Sequence, residues 1–263
     1  MVITIQTVID QLEESVPKTE PTVDGLLFGD PDAPVRGIVT TFLATHRVLR
    51  QAIALRANLV ISHEGIFYSH RPSDMPEPDS VFREKRRWIE ASGLAVYRCH
   101  DALHRRRPDL IARGLIRSLG WEAYVEKELP AATILAVPRR PLKQLLPYLK
   151  SKLQLPFLRV TGDLSASCTR IGILVGYRGG GQNAIPLFEG EGVDVAITGE
   201  GPEWETPEYV RDALAQGKKR ALIALGHGES EQPGMKYLAA ILRERFPGLA
   251  VHFIPERSVF QIL

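Results

Sequence analysis

Three short segments of the chain place histidines beside carboxylates. They occupy residues 62–64, 100–104 and 227–231, and each follows an apolar run that is typical of a buried strand. In open α/β sheets the carboxyl ends of neighbouring strands converge on one crevice. We therefore expect side chains from the three segments to meet, and imidazole with carboxylate is a ligand set that suits transition-metal ions.

The spacing inside the segments bears on which residues can bind together. Two pairs are four residues apart, which puts both side chains on one face of a helix: His100 with His104, and His227 with Glu231. His63 and Glu64 are adjacent, and adjacent side chains on extended backbone point to opposite faces. Both can bind only where the strand has already ended, or where two ions are present to receive them.

Each segment taken alone also fits an ordinary structural explanation; for His100 and His104 this is a core histidine next to a surface one. The conjunction favours a metal site, because four of the seven histidines fall at these three strand ends. Zn, Fe, Ni, Co or Mn suit such ligands better than Ca or Mg. A carboxylate such as Glu231 can bridge two ions about 3.5 to 4 Å apart, so the ligand set permits a dinuclear centre.

Two further strand ends carry polar turns. Residues 179–181 are all glycine, and their N–H groups could cradle a phosphate, although a tight structural turn explains them as well. Glu200 follows another predicted strand, with Glu203 and Glu205 close by. These carboxylates could transfer protons, or they could simply favour the positive end of a helix.

Apolar runs alternate with amphipathic helices along the chain, which predicts an α/β protein. We expect two α/β domains, each with a largely parallel or mixed sheet flanked by helices. The predicted domains are residues 1–127 and residues 128–263, and the last helix and strand of the second could pack back on the first.

The composition restricts the class of partner. The formal net charge of +2 over 263 residues is too small for a field that would attract nucleic acid or an anionic membrane. The two cysteines have no CxxC spacing, which indicates a reducing compartment. No run approaches the roughly 18 apolar residues that a membrane helix needs, so we expect a cytoplasmic protein.

Two local basic runs lie within this nearly neutral chain. The first, in residues 83–87, suits a solvated helix face. The second, residues 105–107, directly follows one of the histidine segments. Arg105 and Arg106 are therefore candidate contacts for a bound anion.

Several segments together resemble the Nif-three-like dinuclear metal-centre family, which is also described as related to a type 2 GTP cyclohydrolase I. The matching segments are residues 24–30, 57–63, 100–104, 197–200 and 226–227 with 231–234. In order they cover most of the chain. The resemblance implies a metal site in the cleft between two domains, and assembly into a toroidal homo-hexamer.

The resemblance also implies that each subunit holds two divalent transition-metal ions, which could be Zn, Fe, Mn, Ni or Co. It implies a set of ligands for these ions as well. These candidate ligands are His63, Glu64, His104, His227 and Glu231. Glu64 stands where the family has a second histidine, and His104 stands where it has an aspartate. The two exchanges leave the summed ligand charge unchanged, so we expect a site whose ligands are rearranged.

The predicted activity is metal-dependent hydrolysis of a small anionic substrate, such as a nucleotide ring or a phosphoester. Glu203 or His100 would move protons, and Arg105 or Arg106 would hold a phosphate. The alternative is a non-catalytic metal-binding or regulatory scaffold. A ring that binds nucleic acid through the basic runs is a third hypothesis.

Overall fold

The structure of the protein is a computed structural model that describes residues 2–14, 16–17, 20–75 and 77–261. Its strands are β1 (Gly25–Phe28), β2 (Ile38–Thr41), β3 (Leu59–Ser62), β4 (Ala95–Arg98), β5 (Val125–Glu128), β6 (Thr133–Pro141), β7 (Arg159–Gly162), β8 (Ser167–Leu174), β9 (Val195–Thr198), β10 (Ala221–Ala224) and β11 (Val251–Phe253). Its α-helices are α1 (Ile5–Glu13), α2 (His46–Ala54), α3 (Ser80–Ser92), α4 (Asp101–Arg105), α5 (Leu110–Leu119), α6 (Leu142–Leu153), α7 (Gly181–Gly190), α8 (Thr206–Ala215) and α9 (His227–Arg245). Helices alternate with strands over most of the chain, as the sequence predicts.

The chain divides by its contacts into two compact units. The first contains residues 1–110 and 235–257, and the second is built mainly from residues 111–234. Each unit has its own sheet and its own buried apolar core. The predicted fold class, α/β with two sheets flanked by helices, is confirmed. Among the described residues, no helix is both long and apolar enough to cross a bilayer.

The sheet of the first unit has the strand order β1-β4-β3-β2-β11. The last four strands run parallel to one another, and β1 pairs antiparallel with β4. All residues of β2, β3 and β4 are buried, as expected for parallel strands that helices cover on both faces. Their carboxyl ends therefore lie at one edge, where the chain leaves β2, β3 and β4.

The helix that follows β2 shows why these residues form this element. Thr45 caps the N-terminus of α2, since its side chain accepts a hydrogen bond from the N–H of Val48. Val48, Leu49 and Ala52 recur at helical spacing and are fully buried against the sheet.

The sheet of the second unit is mixed, with the order β5-β6-β8-β9-β10-β7. Strands β8, β9 and β10 are parallel, whereas β5, β6 and β7 join by antiparallel pairing. The edge strand β5 is exposed along its length, with the sequence Val-Glu-Lys-Glu, so it lacks the apolar alternation that would have predicted it. Strand β1 is a run of only four residues, none of them fully buried.

The last helix begins earlier than expected. The sequence predicts a helix from Pro233, but α9 starts at His227, six residues before it. A proline inside a helix removes an interior hydrogen bond, so the sequence favours a helix that starts at Pro233 over one that contains it. As a result, His227 and Glu231 lie on one continuous helix, in its first two turns.

Helix α3 carries a lysine whose burial differs from the sequence prediction. The basic run in residues 83–87 was expected to be a solvated face, and Arg83, Arg86 and Arg87 are exposed, but Lys85 is only 3% exposed. Lys85 shares the inward face of α3 with Phe82 and Ile89. Its Nζ atom donates to Ile66 O at 2.7 Å. Burial lowers the pKa of Lys85 to about 8, although the negative charge of Glu256 acts in the opposite direction.

This buried amine predicts a stability that rises with pH. Below pH 8 the folded protein must hold a buried charge, whereas the unfolded chain keeps the lysine protonated up to about pH 10.5. The unfolded state therefore binds more protons between these values, and raising the pH favours folding. Between pH 7.5 and 9.5 the free energy of unfolding of the native protein should rise by about 2 kcal/mol more than that of Lys85→Met.

Urea unfolding of both proteins across this pH range is the measurement. The difference between them removes the contribution of groups that titrate alike in both, such as surface amines. Parallel pH profiles for the two proteins would contradict a neutral buried Lys85.

Candidate metal centre

Strand ends in the first unit position the residues that the sequence singled out. His63 follows β3, and its N–H donates to Thr41 O at 3.1 Å, so the parallel pairing continues one residue beyond the strand. The chain then turns, because Ser62 Oγ donates to Glu64 O at 3.0 Å and accepts from Ala44 N–H at 3.2 Å. His63 and Glu64 thus lie in a bend at the end of the strand, and a bend removes the geometric objection to both facing one site.

Three histidines of the first unit come together. The ring centroids of His63 and His100 are 4.6 Å apart, those of His63 and His104 5.1 Å, and those of His100 and His104 4.8 Å. Each ring offers a nitrogen within 4.8 Å of the other two. His63 is fully buried, and the other two side chains are 15% and 10% exposed. This set, the histidine triad, could bind a metal ion.

Each ring of the histidine triad is oriented through the same atom. In every case Nδ1 lies within hydrogen-bond distance of an oxygen: Cys99 O for His63 at 3.2 Å, Asp101 Oδ1 for His100 at 2.9 Å, and Asp109 Oδ2 for His104 at 2.9 Å. An oxygen acceptor places the proton on Nδ1 and leaves the lone pair on Nε2. Metal-binding histidines in proteins show this arrangement almost always, because it fixes the tautomer and the ring orientation.

Burial keeps one of these imidazoles neutral. It lowers the pKa of His100 to about 4, although the hydrogen bond to Asp101 raises it, and the neighbouring rings of His63 and His104 lower it further. The same hydrogen bond from His100 holds the pKa of Asp101 well below its usual range. A neutral imidazole has the lone pair that a metal ligand needs.

A carboxylate from the start of β1 holds the segment that carries His100 and His104. Asp24 Oδ1 accepts from the N–H groups of His100 and Asp101 at 2.6 and 2.9 Å, and Oδ2 accepts from Ala102 N–H at 2.7 Å. These are the unpaired donors at the N-terminus of α4, which favour a negative charge. Sequence reasoning quoted Asp24 within a family match but missed this role, because its partners lie more than 75 positions away.

Glu64 lies beside the histidine triad, with Oε1 3.5 Å from His100 Nε2, but its other oxygen contacts different groups. Its Oε2 atom accepts from Arg98 Nη2 at 2.8 Å and from Gly65 N–H at 3.1 Å, and lies 3.3 Å from His70 Nδ1. Burial raises the pKa of Glu64, but the imidazoles of His100 and His63 and the Arg98 guanidinium lower it overall. Glu64, His70 and His100 also have ligand atoms within 4.8 Å of one another. Sequence reasoning missed His70, which lies in a loop without periodicity.

The second unit brings together another set of candidate ligands. Strand β10 ends at Ala224, and His227 begins α9 three residues later. His227 Nδ1 lies 2.8 Å from Glu200 Oε1, and Nε2 lies 3.1 Å from Glu231 Oε2. Burial lowers the pKa of His227, but the hydrogen bonds to Glu200 and Glu231 outweigh it and raise the pKa to about 10. Like the rings of the histidine triad, that of His227 has its Nδ1 atom beside an oxygen acceptor.

Glycines let backbone approach Glu231, which is only 2% exposed. A Cβ atom on Gly176 would clash with the Glu231 carboxylate, and Gly176 also has φ of +61°, which favours glycine. A Cβ on Gly199 would clash with Gly176 O and with Ser230 Oγ. Ser230 Oγ in turn accepts from Gly176 N–H at 2.9 Å. The loops after β8 and β9 are thus shaped around the α9 carboxylate.

A carboxylate of the protein, that of Glu205, occupies the glycine turn at residues 179–181. Glu205 Oε2 accepts from Gly181 N–H at 2.6 Å, at the N-terminus of α7. Thr206 Oγ1 donates to Gly179 O at 2.7 Å and closes the turn. A protein carboxylate therefore lies where the sequence left room for a phosphate, which favours the structural explanation of these glycines.

The remaining predicted residues are engaged elsewhere. Glu203 is 78% exposed and pairs with Arg159 at 2.8 Å. Arg105 pairs with Asp101 at 3.2 Å, and Arg106 donates to Leu12 O at 2.8 Å. Their roles in proton transfer and phosphate binding stay predictions.

Two α/β units, with histidines and carboxylates gathered at strand ends in each, define a class of protein that could bind metal ions. A model of the family Duf34/NIF3 (NGG1p interacting factor 3) matches residues 3–258, and the chain belongs to this family. The resemblance stated from the sequence is confirmed.

Relatives and solved structures agree with this assignment. A protein of Chlamydia muridarum named GTP cyclohydrolase 1 type 2 homolog is 26% identical over 228 residues, which cover 84% of this chain and 84% of that protein. One of Clostridium acetobutylicum with the same name is 26% identical over 220 residues, covering 80% and 78%. The crystal structure of a Bacillus cereus protein related to NIF3 matches over 100% of both chains with a TM-score of 0.81 at 16% identity, which shows the shared fold.

The orientation of His104 predicts how metal affinity depends on Asp109. In Asp109→Ala the Nδ1 atom loses its acceptor, so the ring can rotate or change tautomer, and the affinity for Zn²⁺ should fall about 10- to 100-fold. Competition with a chromophoric chelator measures this affinity. Asp212→Ala, which removes an exposed carboxylate of α8, is the matched control and should bind as the native protein does. Equal affinities in all three proteins would contradict the assignment of His104 as a ligand.

Proposed function

We propose that this protein is a metal-dependent hydrolase that acts on a nucleotide or a phosphoester and uses two divalent transition-metal ions. One observation carries the proposal. His63, His100, His104 and His227 all have Nδ1 within hydrogen-bond distance of an oxygen acceptor. Four histidines oriented in the same way, and buried or largely buried, support ligand roles better than roles in packing.

The chemistry of the donor sets fits the proposed ions. The histidine triad supplies three imidazoles, which suit Zn, Fe, Co, Ni or Mn. His227 and Glu231 supply one imidazole and one carboxylate from α9. We propose that these sets supply ligands to the two ions that the resemblance to the family implies. Ions held there would supply Lewis acidity to a water or to a substrate oxygen.

The residues around the ligands have distinct proposed tasks. Asp101 and Asp109 hold the rings of His100 and His104, and Glu200 holds that of His227. The pKa of His100, lowered to about 4 by burial, supports the task of a neutral ligand rather than that of a proton carrier at neutral pH. The exposed carboxylate of Glu203 is the remaining candidate for proton transfer.

The substrate class is proposed from two sources. The curated relatives carry the name GTP cyclohydrolase 1 type 2 homolog, which makes a purine nucleotide the first probe. Divalent ions also favour anionic substrates, since they neutralise charge on phosphate oxygens. We further propose, from the family resemblance alone, that the working form is a homo-hexamer.

The proposal predicts linked losses of metal and turnover. Protein purified without added metal should contain transition metal by elemental analysis, and a panel of nucleotides and phosphoesters should include at least one substrate. His104→Ala and His227→Ala should each lower kcat/KM on that substrate by about 100-fold or more, because each removes a ligand.

His252→Ala is the matched control, since it removes a histidine of β11 that belongs to neither ligand set, and it should keep both metal and turnover. Stoichiometric metal with no turnover on any member of the panel would contradict the hydrolase. That result would instead support the alternative, a metal-binding scaffold.

A further inference from the structure

A permanent positive charge is buried beside the candidate ligands of the first unit. The side chain of Arg98, the last residue of β4, is only 4% exposed. Nη1 donates to His70 O at 2.6 Å, and Nη2 donates to Glu64 Oε2 at 2.8 Å. Nη2 also lies 3.1 Å from His70 Nδ1. A guanidinium stays charged at every pH at which a protein is folded, so this charge is always present.

The surrounding loop is built to enclose this guanidinium. Arg98 pairs in register with Ser62 of β3, one residue before His63, so its side chain starts beside the histidine segment. The loop after Glu64 then folds back over it. A Cβ atom on Gly65 would clash with Ser69 O and would come within 3.3 Å of Arg98 Nη1, so this close approach requires glycine.

The guanidinium contacts two of the three residues that could bind a second ion in this unit, Glu64 and His70. Glu64, His70 and His100 have ligand atoms within 4.8 Å of one another, which is the spacing of a metal site. Arg98 Nη2 is within hydrogen-bond distance of the Glu64 carboxylate and of His70 Nδ1. A divalent ion bonded to these groups would lie close to a buried positive charge, and such repulsion is screened little in a protein interior.

We infer that Arg98 is the resident cation of the cluster formed by Glu64 and His70, so that Glu64 is the counterion of Arg98 and not a metal ligand. The first unit then binds one ion, at the histidine triad. The arrangement explains how a glutamate is tolerated where the family resemblance expects a second histidine. The inference deepens the proposed function. It rests on that proposal only in placing the one ion of the first unit at the histidine triad.

The first test compares two conservative variants. Glu64→Gln keeps an oxygen acceptor for Arg98, and the affinity for Zn²⁺, measured by chelator competition, should stay within about threefold of the native value. The visible absorption of bound Co²⁺ should also be unchanged, because the set of ligands is the same. His104→Ala is the comparison, and it should weaken binding at least tenfold. A tenfold or greater loss in Glu64→Gln, or a changed Co²⁺ spectrum, would overturn the inference.

The second test counts ions. Arg98→Met removes the charge and keeps much of the volume, so Glu64 and His70 become available to a metal ion. This variant should bind one more Zn²⁺ per chain than the native protein, and Arg98→Met combined with His70→Ala should lose the additional ion. Equal counts in the native protein and in Arg98→Met would overturn the inference.

The two tests separate this inference from the proposed function. A native protein that binds metal but hydrolyses nothing leaves both tests intact, since neither measures turnover. If Arg98→Met does not fold, the Glu64→Gln comparison alone decides the question.

Discussion

The candidate site depends on one repeated interaction, the hydrogen bond that orients each imidazole through Nδ1. In the first unit the acceptors are a main-chain carbonyl and two carboxylates, and in the second it is Glu200. The acceptors come from different local structures. The rings converge because parallel strands of similar length end at one edge of the sheet, so that residues 63 and 100 leave it side by side.

Much of the fold could be predicted from the sequence, because buried parallel strands are short apolar runs and their helices are amphipathic. The runs that became β2, β3 and β4 are of this kind. The edge strands β1 and β5 could not be predicted in this way, since their residues are partly or fully exposed and lack periodicity. The start of α9 was predicted too late because Pro233 lies inside it.

The residues of the candidate site likewise divide into those that the sequence predicted and those that it did not. His100 and His104 were found from their four-residue spacing, and the structure brings them together with His63. Arg98 and His70 could not be found, because an arginine at a strand end and a histidine in a loop carry no pattern of their own. Their importance arises only from contacts with Glu64. Charged side chains whose partners are distant in sequence are the part of a site that local patterns do not contain.

The carboxylate of Asp24 has a consequence for how the ligands become ordered. Helix α4 has only five residues and is too short to persist alone in water. It gains its first-turn acceptors from a residue that precedes β1, an edge strand that pairs with β4. His104 therefore takes up its position only after a contact between distant parts of the chain has formed. An ion bound by the ordered ligands would stabilise the assembled state of this unit by mass action, so the free energy of unfolding of the unit would depend on the metal concentration.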